Sequence, residues 1–504
     1  CKQEQCSTEK CPLHLARQRA EQAHIVIVNH ALLLADVANE NHVLPLFMDL
    51  IVDEAHHLES AVTNGLSFRA DKRFLETVLE GISKPRSGLL FDVQKRLGDV
   101  LPEHVRSELD GFAGRMRREA QEAVIRLDEF FTAVDFFLRD HVQARSQFAQ
   151  QIRLVPAVRI QPGYDEIEIS WENLNTHLKK IDRDFDKLAS AMADIAEQYD
   201  VEDEEEMRAA LLTNGRALGE ARENLDQIIS TPQDDMIYWV EMFKDRVSLH
   251  AAPLHVGPLV EQHIFKEKET VILTSATLRT ADPSSYGEAD FNYLRERLHA
   301  IDANELAVGS PFDYKSNTLL YLPTDMPEPN QPGYQQGVEK AIVDVARALG
   351  GRTMVLFTSY AQLRQTAQAI EGSLLAADIT LLAQYQGSSR QQLLAQFKQP
   401  DSRAVLLGTR SFWEGVDVPG PALQALLIAK LPFDVPSDPV FAARSEGFDS
   451  PFFEYSIPEA VLRFRQGFGR LIRRISDEGV VVVLDKRVLT KRYGQSFLEA
   501  LPET

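Results

Sequence analysis

The chain has 504 residues, enough for two to four domains, and its 44% hydrophobic and 26% charged content is ordinary for a soluble globular protein. No apolar run approaches the roughly 18 residues of a membrane-spanning helix, so no membrane partner is expected. A formal net charge of −21 argues against indiscriminate binding of polyanions but leaves room for a locally basic groove.

The chain opens Cys1-Lys2-Gln3, without an initiator Met or a charged-then-apolar leader. A fragment or processed product is expected rather than a secreted precursor. All three cysteines, Cys1, Cys6 and Cys11, lie in the first eleven residues. An odd, clustered set makes a poor disulfide framework and points to a reducing compartment. The C-x4-C-x4-C spacing brings three thiolates round one centre, with His14 close behind. Two readings are open here: a Cys3His zinc site, or three of four ligands of a 4Fe–4S cluster with the fourth upstream.

Residues 12–65 read as helix, buried strand, helix, buried strand. The first strand is Ile25-Val26-Ile27-Val28, ending in Asn29-His30; the second is Leu50-Ile51-Val52, ending in Asp53-Glu54-Ala55-His56. Buried strands that end in polar residues are the parallel-sheet pattern, in which sites gather at strand carboxyl ends. From about 66 to 250 apolar residues recur at helical spacing, as in Phe130, Phe131, Val134, Phe137 and Leu138. The acidic run Glu202-Asp203-Glu204-Glu205-Glu206 reads as a solvated helix start, and 152–160 with 167–171 reads as a small hairpin. This region is expected to be a mainly helical insertion.

After about 251 the α/β rhythm returns. Apolar runs at 271–273, 353–357, 404–407, 425–428 and 480–484 alternate with helical stretches, which predicts a parallel sheet covered on both faces. The Pro-rich 322–333 stretch reads as a loop.

The chemistry is concentrated in short motifs. A strand-end Asp53 can hold Mg²⁺ through its water shell, and Glu54 can orient the water that attacks a phosphate. Helix-capping acids are the bland alternative, and His56-His57 does not match the H-E-x-x-H zinc pattern. In Gln466-Gly467-Phe468-Gly469-Arg470-Leu471-Ile472-Arg473-Arg474, a continuous helix places Gln466, Arg470 and Arg473 on one face. Two convergent guanidiniums and an amide suit a γ-phosphate; a basic surface helix is the alternative. Thr274-Ser275-Ala276-Thr277 and Gly408 to Asp417 each follow an apolar strand and offer hydroxyls and glycines to phosphate oxygens.

Taken in order, the thiolate cluster, Asp53-Glu54-Ala55-His56, the helical insertion, Thr274-Ser275-Ala276-Thr277, Phe357-Thr358-Ser359-Tyr360, Gly408 to Asp417 and Gln466 to Arg473 resemble the motifs of the XPD/DinG-like iron–sulfur superfamily 2 DNA helicases. Residues 24–58, 271–278 and 404–504 look closest to the bacterial DinG-like branch, especially its YoaA-type members. The resemblance implies an α/β fold with two RecA-like parallel-sheet motor domains, the first incomplete, and a mainly helical arch-type insertion. The implied division is an iron–sulfur part at 1–20, motor domain 1 at 21–65 and 251–282, the arch at 66–250 and motor domain 2 at 283–504. It implies ATP with Mg²⁺ at the Walker B pair Asp53 and Glu54, with His56 beside them and Gly415 and Asp417 bordering the nucleotide. Gln466, Arg470 and Arg473 would complete that site, one arginine acting as finger. Ser275 and Thr277 would couple nucleotide state to DNA grip, while Ser359 and Thr409 would face DNA phosphates. Cys1, Cys6 and Cys11 would ligate a 4Fe–4S cluster. The implied activity is 5′-to-3′ unwinding of single-stranded or forked DNA in repair or replication, with replication or repair proteins as partners and a cytoplasmic, nucleoid-associated setting in bacteria.

One departure stands out. No G-x-x-x-x-G-K-S/T occurs in the 504 residues, and Gly350-Gly351-Arg352-Thr353 lacks both the Lys and the spacing. A chain without that loop is expected to hydrolyse ATP poorly by itself. Phe412 and Trp413 are candidates for stacking on bases, with core packing the competing role. The rival readings are a nuclease-linked relative, a non-enzymatic DNA-binding or interaction protein, and an RNA helicase.

Overall fold

The computed structural model describes residues 12–38, 43–84, 86–98, 100–141, 150–199, 201, 204–244, 246–279, 290–385, 387–413 and 415–502. Its strands are β1 (Asp49–Asp53), β2 (Phe68–Asp71), β3 (Gln150–Arg153), β4 (Met236–Phe243), β5 (Arg246–Pro253) and β6 (Thr270–Thr274). They continue with β7 (Thr318–Tyr321), β8 (Thr353–Leu356), β9 (Thr380–Ala383), β10 (Ala404–Gly408), β11 (Ala425–Ile428) and β12 (Gly479–Val483). The chain divides into two compact units.

The first unit gathers Ser60–Val256 and Ser437–Ala443 with the chain's start through Leu44. Its antiparallel sheet runs β2-β5-β4-β3. Three long helices dominate it, Glu103–His141, Tyr164–Gln198 and Glu204–Ile229. At 39 residues the first of these is about 58 Å long. Its buried positions, among them Ala113, Met116, Ala120, Leu127 and Val134, keep a three-to-four spacing that faces the partner helices. The acidic run does start a helix, at Glu204.

Two expectations for this unit fail. The run Ile25-Val26-Ile27-Val28 forms no strand, and Ile25 and Ile27 stand exposed. A strand needs a neighbouring ladder of amides and carbonyls, and none of the described sheets includes this segment. The 152–160/167–171 hairpin is also absent. Ile152 pairs with Val240 of β4, whereas 167–171 lies inside the helix Tyr164–Gln198. The short Glu-Ile-Glu-Ile alternation misled, because the longer series Tyr164, Ile167, Trp171, Leu174, Leu178 carries the helical period and is buried.

The second unit comprises Pro45–Glu59, Gly257–Pro436 and Arg444–Thr504. Its six-stranded sheet is ordered β7-β12-β11-β8-β10-β9, with every pairing parallel. Successive side chains feed opposite faces. Met354, Leu406, Leu426 and Val481 join one core, while Val355, Leu407, Leu427 and Val482 join the other. Burial on both sides explains why these strands read as unbroken apolar runs. The strand order reverses between β8 and β11, a point at whose carboxyl side ligands bind in open α/β sheets. In the same unit β1 and β6 form a separate parallel pair, aligned so that Asp53 faces Thr274. Val52 is buried there, but Ile51 is 67% and Ile272 50% exposed.

Candidate functional site

The β1–β6 pair brings two motifs together that are about 220 residues apart in sequence. Both strands end at the same level, so Asp53-Glu54-Ala55-His56 meets Thr274-Ser275-Ala276-Thr277. His56 Nδ1 lies 2.6 Å from Ser275 Oγ and 3.1 Å from Thr277 Oγ1. Ser275 Oγ in turn donates to Glu54 Oε2 at 3.2 Å. If the imidazole donates from Nδ1, one consistent proton order runs from His56 through Ser275 to Glu54. Thr277 is buried and the His56 side chain is only 6% exposed, whereas the Glu54 side chain is 58% exposed and open to a ligand.

The backbone here is unusual. Glu54 sits in the left-handed region at φ 51°, which costs a non-glycine residue roughly 1–2 kcal/mol. Its amide donates to Asp53 Oδ1 at 2.9 Å, and the short turn Ala55–His57 follows at once. This conformation turns the chain sharply out of β1. Among the described residues no group of three or more His, Cys, Asp or Glu side chains converges as a metal site. Magnesium held by one or two carboxylates and substrate phosphates requires no such group.

The helix Ile457–Phe468 ends earlier than the sequence reading assumed. Gln466 lies on it, but Arg470 and Arg473 lie in the turns beyond Gly469 and do not share its face. Gly467 packs so closely on Trp413 that an added Cβ would sit 2.8 Å from the indole. Arg470 is tied to the loop after β10, with Nε donating to Trp413 O at 3.0 Å and Nη1 to Val416 O at 2.8 Å. Arg473 is held more loosely. Its Nη2 reaches Val416 O at 3.4 Å, and its Nε stands 3.6 Å from Asp417. Gln466 Oε1 and Arg473 Nε are buried without a hydrogen-bond partner among the described residues, the condition expected of groups that await a polar ligand. Gly415 adopts φ 61° and its carbonyl accepts from Arg390 Nη2.

The proposed DNA-facing hydroxyls are already engaged. Ser359 caps the helix Tyr360–Leu375 by accepting from Gln362 N. Thr409 is buried, and both its amide and its hydroxyl donate to Gln384 Oε1 at 2.8 Å. Phe412 and Trp413 are buried too, with Trp413 Nε1 donating to Phe357 O, so core packing wins over base stacking at both. Beside Ser359, however, Tyr360 is exposed. Cys1, Cys6 and Cys11 lie outside the described residues.

The family described as Helicase C-terminal domain matches residues 342–504, and that described as DEAD_2 matches 2–75. The ATP-dependent DNA helicase YoaA of Escherichia coli is 31% identical over 99% of this chain and 70% of its own length. The chain belongs to the DinG/YoaA helicase family. A Bacillus subtilis relative, named 3'-5' exonuclease DinG, is 32% identical over 97% of the chain. The chain spans 52% of that protein's length. A solved XPD structure in its apo form aligns with a TM-score of 0.49 at 11% identity, covering 93% of this chain and 79% of that one, too loosely to bear on function.

Sequence reading of this DinG/YoaA member missed several residues that shape the site. Asp477 is buried and accepts from the amides of Arg473, Arg474 and Gly420, fixing the turn that carries the arginines. Gln384 anchors Thr409. Arg465 donates to the Arg279 carbonyl, and burial beside the Arg279 charge lowers its affinity for its proton. A basic residue immediately before Gln466 was the available signal for Arg465; nothing local marked Gln384.

Proposed function

We propose that the protein is an ATP-driven helicase or translocase on single-stranded DNA, moving 5′ to 3′ as the resemblance implies. The carrying observation is the cluster in which Glu54, His56, Ser275 and Thr277 interlock at the ends of β1 and β6. A strand-end acid pair, with Glu54 hydrogen-bonded to a hydroxyl of a second motif, suits the coupling of hydrolysis to movement. Asp53 would hold Mg²⁺ and Glu54 would orient the water that attacks the phosphate. The metal, when bound, neutralises phosphate charge. Gln466 and Arg473 approach the nucleotide with their unsatisfied atoms, while Arg470 secures the loop at Trp413–Val416 that places Gly415 and Asp417. Of the two arginines, Arg473 is therefore our candidate for the finger.

The same reading assigns β1 and β6 to a first motor domain, the six-stranded sheet to a second and the helix-rich 66–250 region to the arch. The exposed faces of Ile51 and Ile272 are where covering helices of the first motor domain would pack. Tyr360 replaces Phe412 and Trp413 as the candidate for stacking on a base. Cys1, Cys6 and Cys11 are assigned as cluster thiolates, and iron and acid-labile sulfide measured on Cys→Ser variants test this. Repair or replication proteins and a cytoplasmic, nucleoid-associated setting belong to the same proposal.

The deciding experiment is ATP hydrolysis by the full gene product with and without single-stranded DNA, beside Glu54→Gln. Turnover stimulated by DNA and abolished in the variant is expected. Turnover indifferent to DNA would overturn the reading.

A further inference from the structure

A chain of ion pairs and hydrogen bonds, joined through two helices, runs through the second unit away from the strand-end cluster. It begins at Glu59, which lies in the first turn of the helix Leu58–Gly65, directly after the Ala55–His57 turn. Four residues, the Ala55–His57 turn and Leu58, thus separate it from Glu54. Arg297 grips Glu59 with two donors, Nε at 3.0 Å and Nη2, and Arg444 Nη1 adds a third at 2.9 Å. All three side chains are largely buried.

The chain continues on the helix Asn292–Leu298. Tyr293 and Arg297 are four residues apart and share its face. Tyr293 Oη donates to Glu459 Oε1 at 2.6 Å. Glu459 stands on Ile457–Phe468, the helix that also carries Gln466, and one turn on Arg463 donates from Nη2 to Asp434 Oδ2 at 2.8 Å. Asp434 meets Arg410 at 3.2 Å, and Arg410 adjoins Thr409 at the end of β10.

Replacing buried ion pairs with apolar residues is often neutral or stabilising, so the pairs need not be there for stability. This chain joins the residues after Asp53-Glu54 to the helix of Gln466 and to the end of β10, three places that a motor must move together. Burial, followed by the nearby Glu59 charge, holds the Glu459 carboxyl above the usual carboxylate range, against the opposing effect of Arg463, Tyr293 and Arg297.

Resting on the motor reading above, we propose that Glu59 and Glu459 are positioning residues that carry the nucleotide state of the Asp53–Glu54 site to the end of β10, where the exposed Arg410 would meet a DNA phosphate. Glutamine keeps the size at either position and removes the charge; at 459 its oxygen can still accept from Tyr293, whereas at 59 it leaves one acceptor where arginine donors reach both carboxylate oxygens.

The test is the affinity of the full gene product for a fluorescent oligo-dT strand, with and without a non-hydrolysable ATP analogue. The wild type should show a nucleotide-dependent ratio within the range of about 5–150-fold usual for coupled sites. Glu59→Gln and Glu459→Gln should each collapse that ratio to about twofold or less while the KM for ATP stays near wild type. Melting curves identify a variant that fails to fold; Arg463→Lys, which retains the charge but not the forked contact, then stands in and should weaken the ratio partially. Well-folded variants that keep the wild-type ratio overturn the relay alone. A wild type with no ratio at all overturns the motor reading beneath it.

Discussion

Arg470 and Arg473 should fail in different ways when replaced by alanine. Arg470→Ala removes two charge-assisted bonds, at 3.0 Å to Trp413 O and 2.8 Å to Val416 O. Hydrogen bonds to charged groups contribute about 1.5–3 kcal/mol each, and water can replace part of this at a half-buried loop, so a loss of about 2–4 kcal/mol is expected. For a unit of this size that corresponds to a melting point lower by about 4–16 °C. Arg473→Ala removes one bond at 3.4 Å and an ion pair at 3.6 Å with Asp417, whose side chain is 68% exposed. Such a pair contributes about 1 kcal/mol or less. If Arg473 meets the phosphate, its loss should instead reduce turnover about 10³-fold. Differential scanning fluorimetry and steady-state hydrolysis on the full gene product separate the two. A folded Arg470→Ala protein that melts within a degree or two of wild type, yet has lost turnover, would refute the division of labour and make Arg470 the finger.

Two other outcomes follow from single side chains. Tyr360→Ala should weaken single-stranded DNA binding by about 1 kcal/mol or more if a base stacks there, and fluorescence anisotropy that finds no change removes it from the DNA path. In the first unit, burial pushes His250 down to about 4 as it stacks on Trp239 at 4.8 Å. Its folded value lies below the unfolded one, so neutral His250 contributes stability above about pH 6.5 that is lost as the pH falls through about 4. Discounted for partial exposure, this is about 1–2 kcal/mol, and His250→Phe should flatten the melting-versus-pH curve between those limits. An unchanged slope would place the acid sensitivity elsewhere.

How much could be read in advance depended on whether the deciding contact was local. β8, β10, β11 and β12 were legible because strands buried on both faces show continuous apolar runs with polar ends. Ile25-Val26-Ile27-Val28 has the same look, yet a strand exists only beside another strand, and no run of residues states what its neighbour is. At the site, the left-handed turn at Glu54 left no mark in residue type. The end of the Gln466 helix did leave one: Gly467 and Gly469, two glycines within three residues, weaken the case for an unbroken face through Arg473. Ser359 followed three residues later by Gln362 is likewise the pattern of a helix cap, and capping is the role it has.

Nonlocal chemistry is where the single sequence is silent. Glu59 read by itself is an acid in the first turn of a helix, adequately explained by the helix dipole. Only the fold places Arg297 and Arg444, 238 and 385 residues downstream, on the same carboxylate. The hydrolysis motifs are compact because water, metal and phosphate must meet within a few ångströms. A device that makes distant motifs move together has the opposite requirement. Its members have to sit on different elements, so they are scattered along the chain and resemble ordinary surface charges until the elements are assembled. Glu59 and Glu459 meet that description, which is why the charge-removing variants at these two positions test coupling itself while leaving the residues of the strand-end cluster untouched.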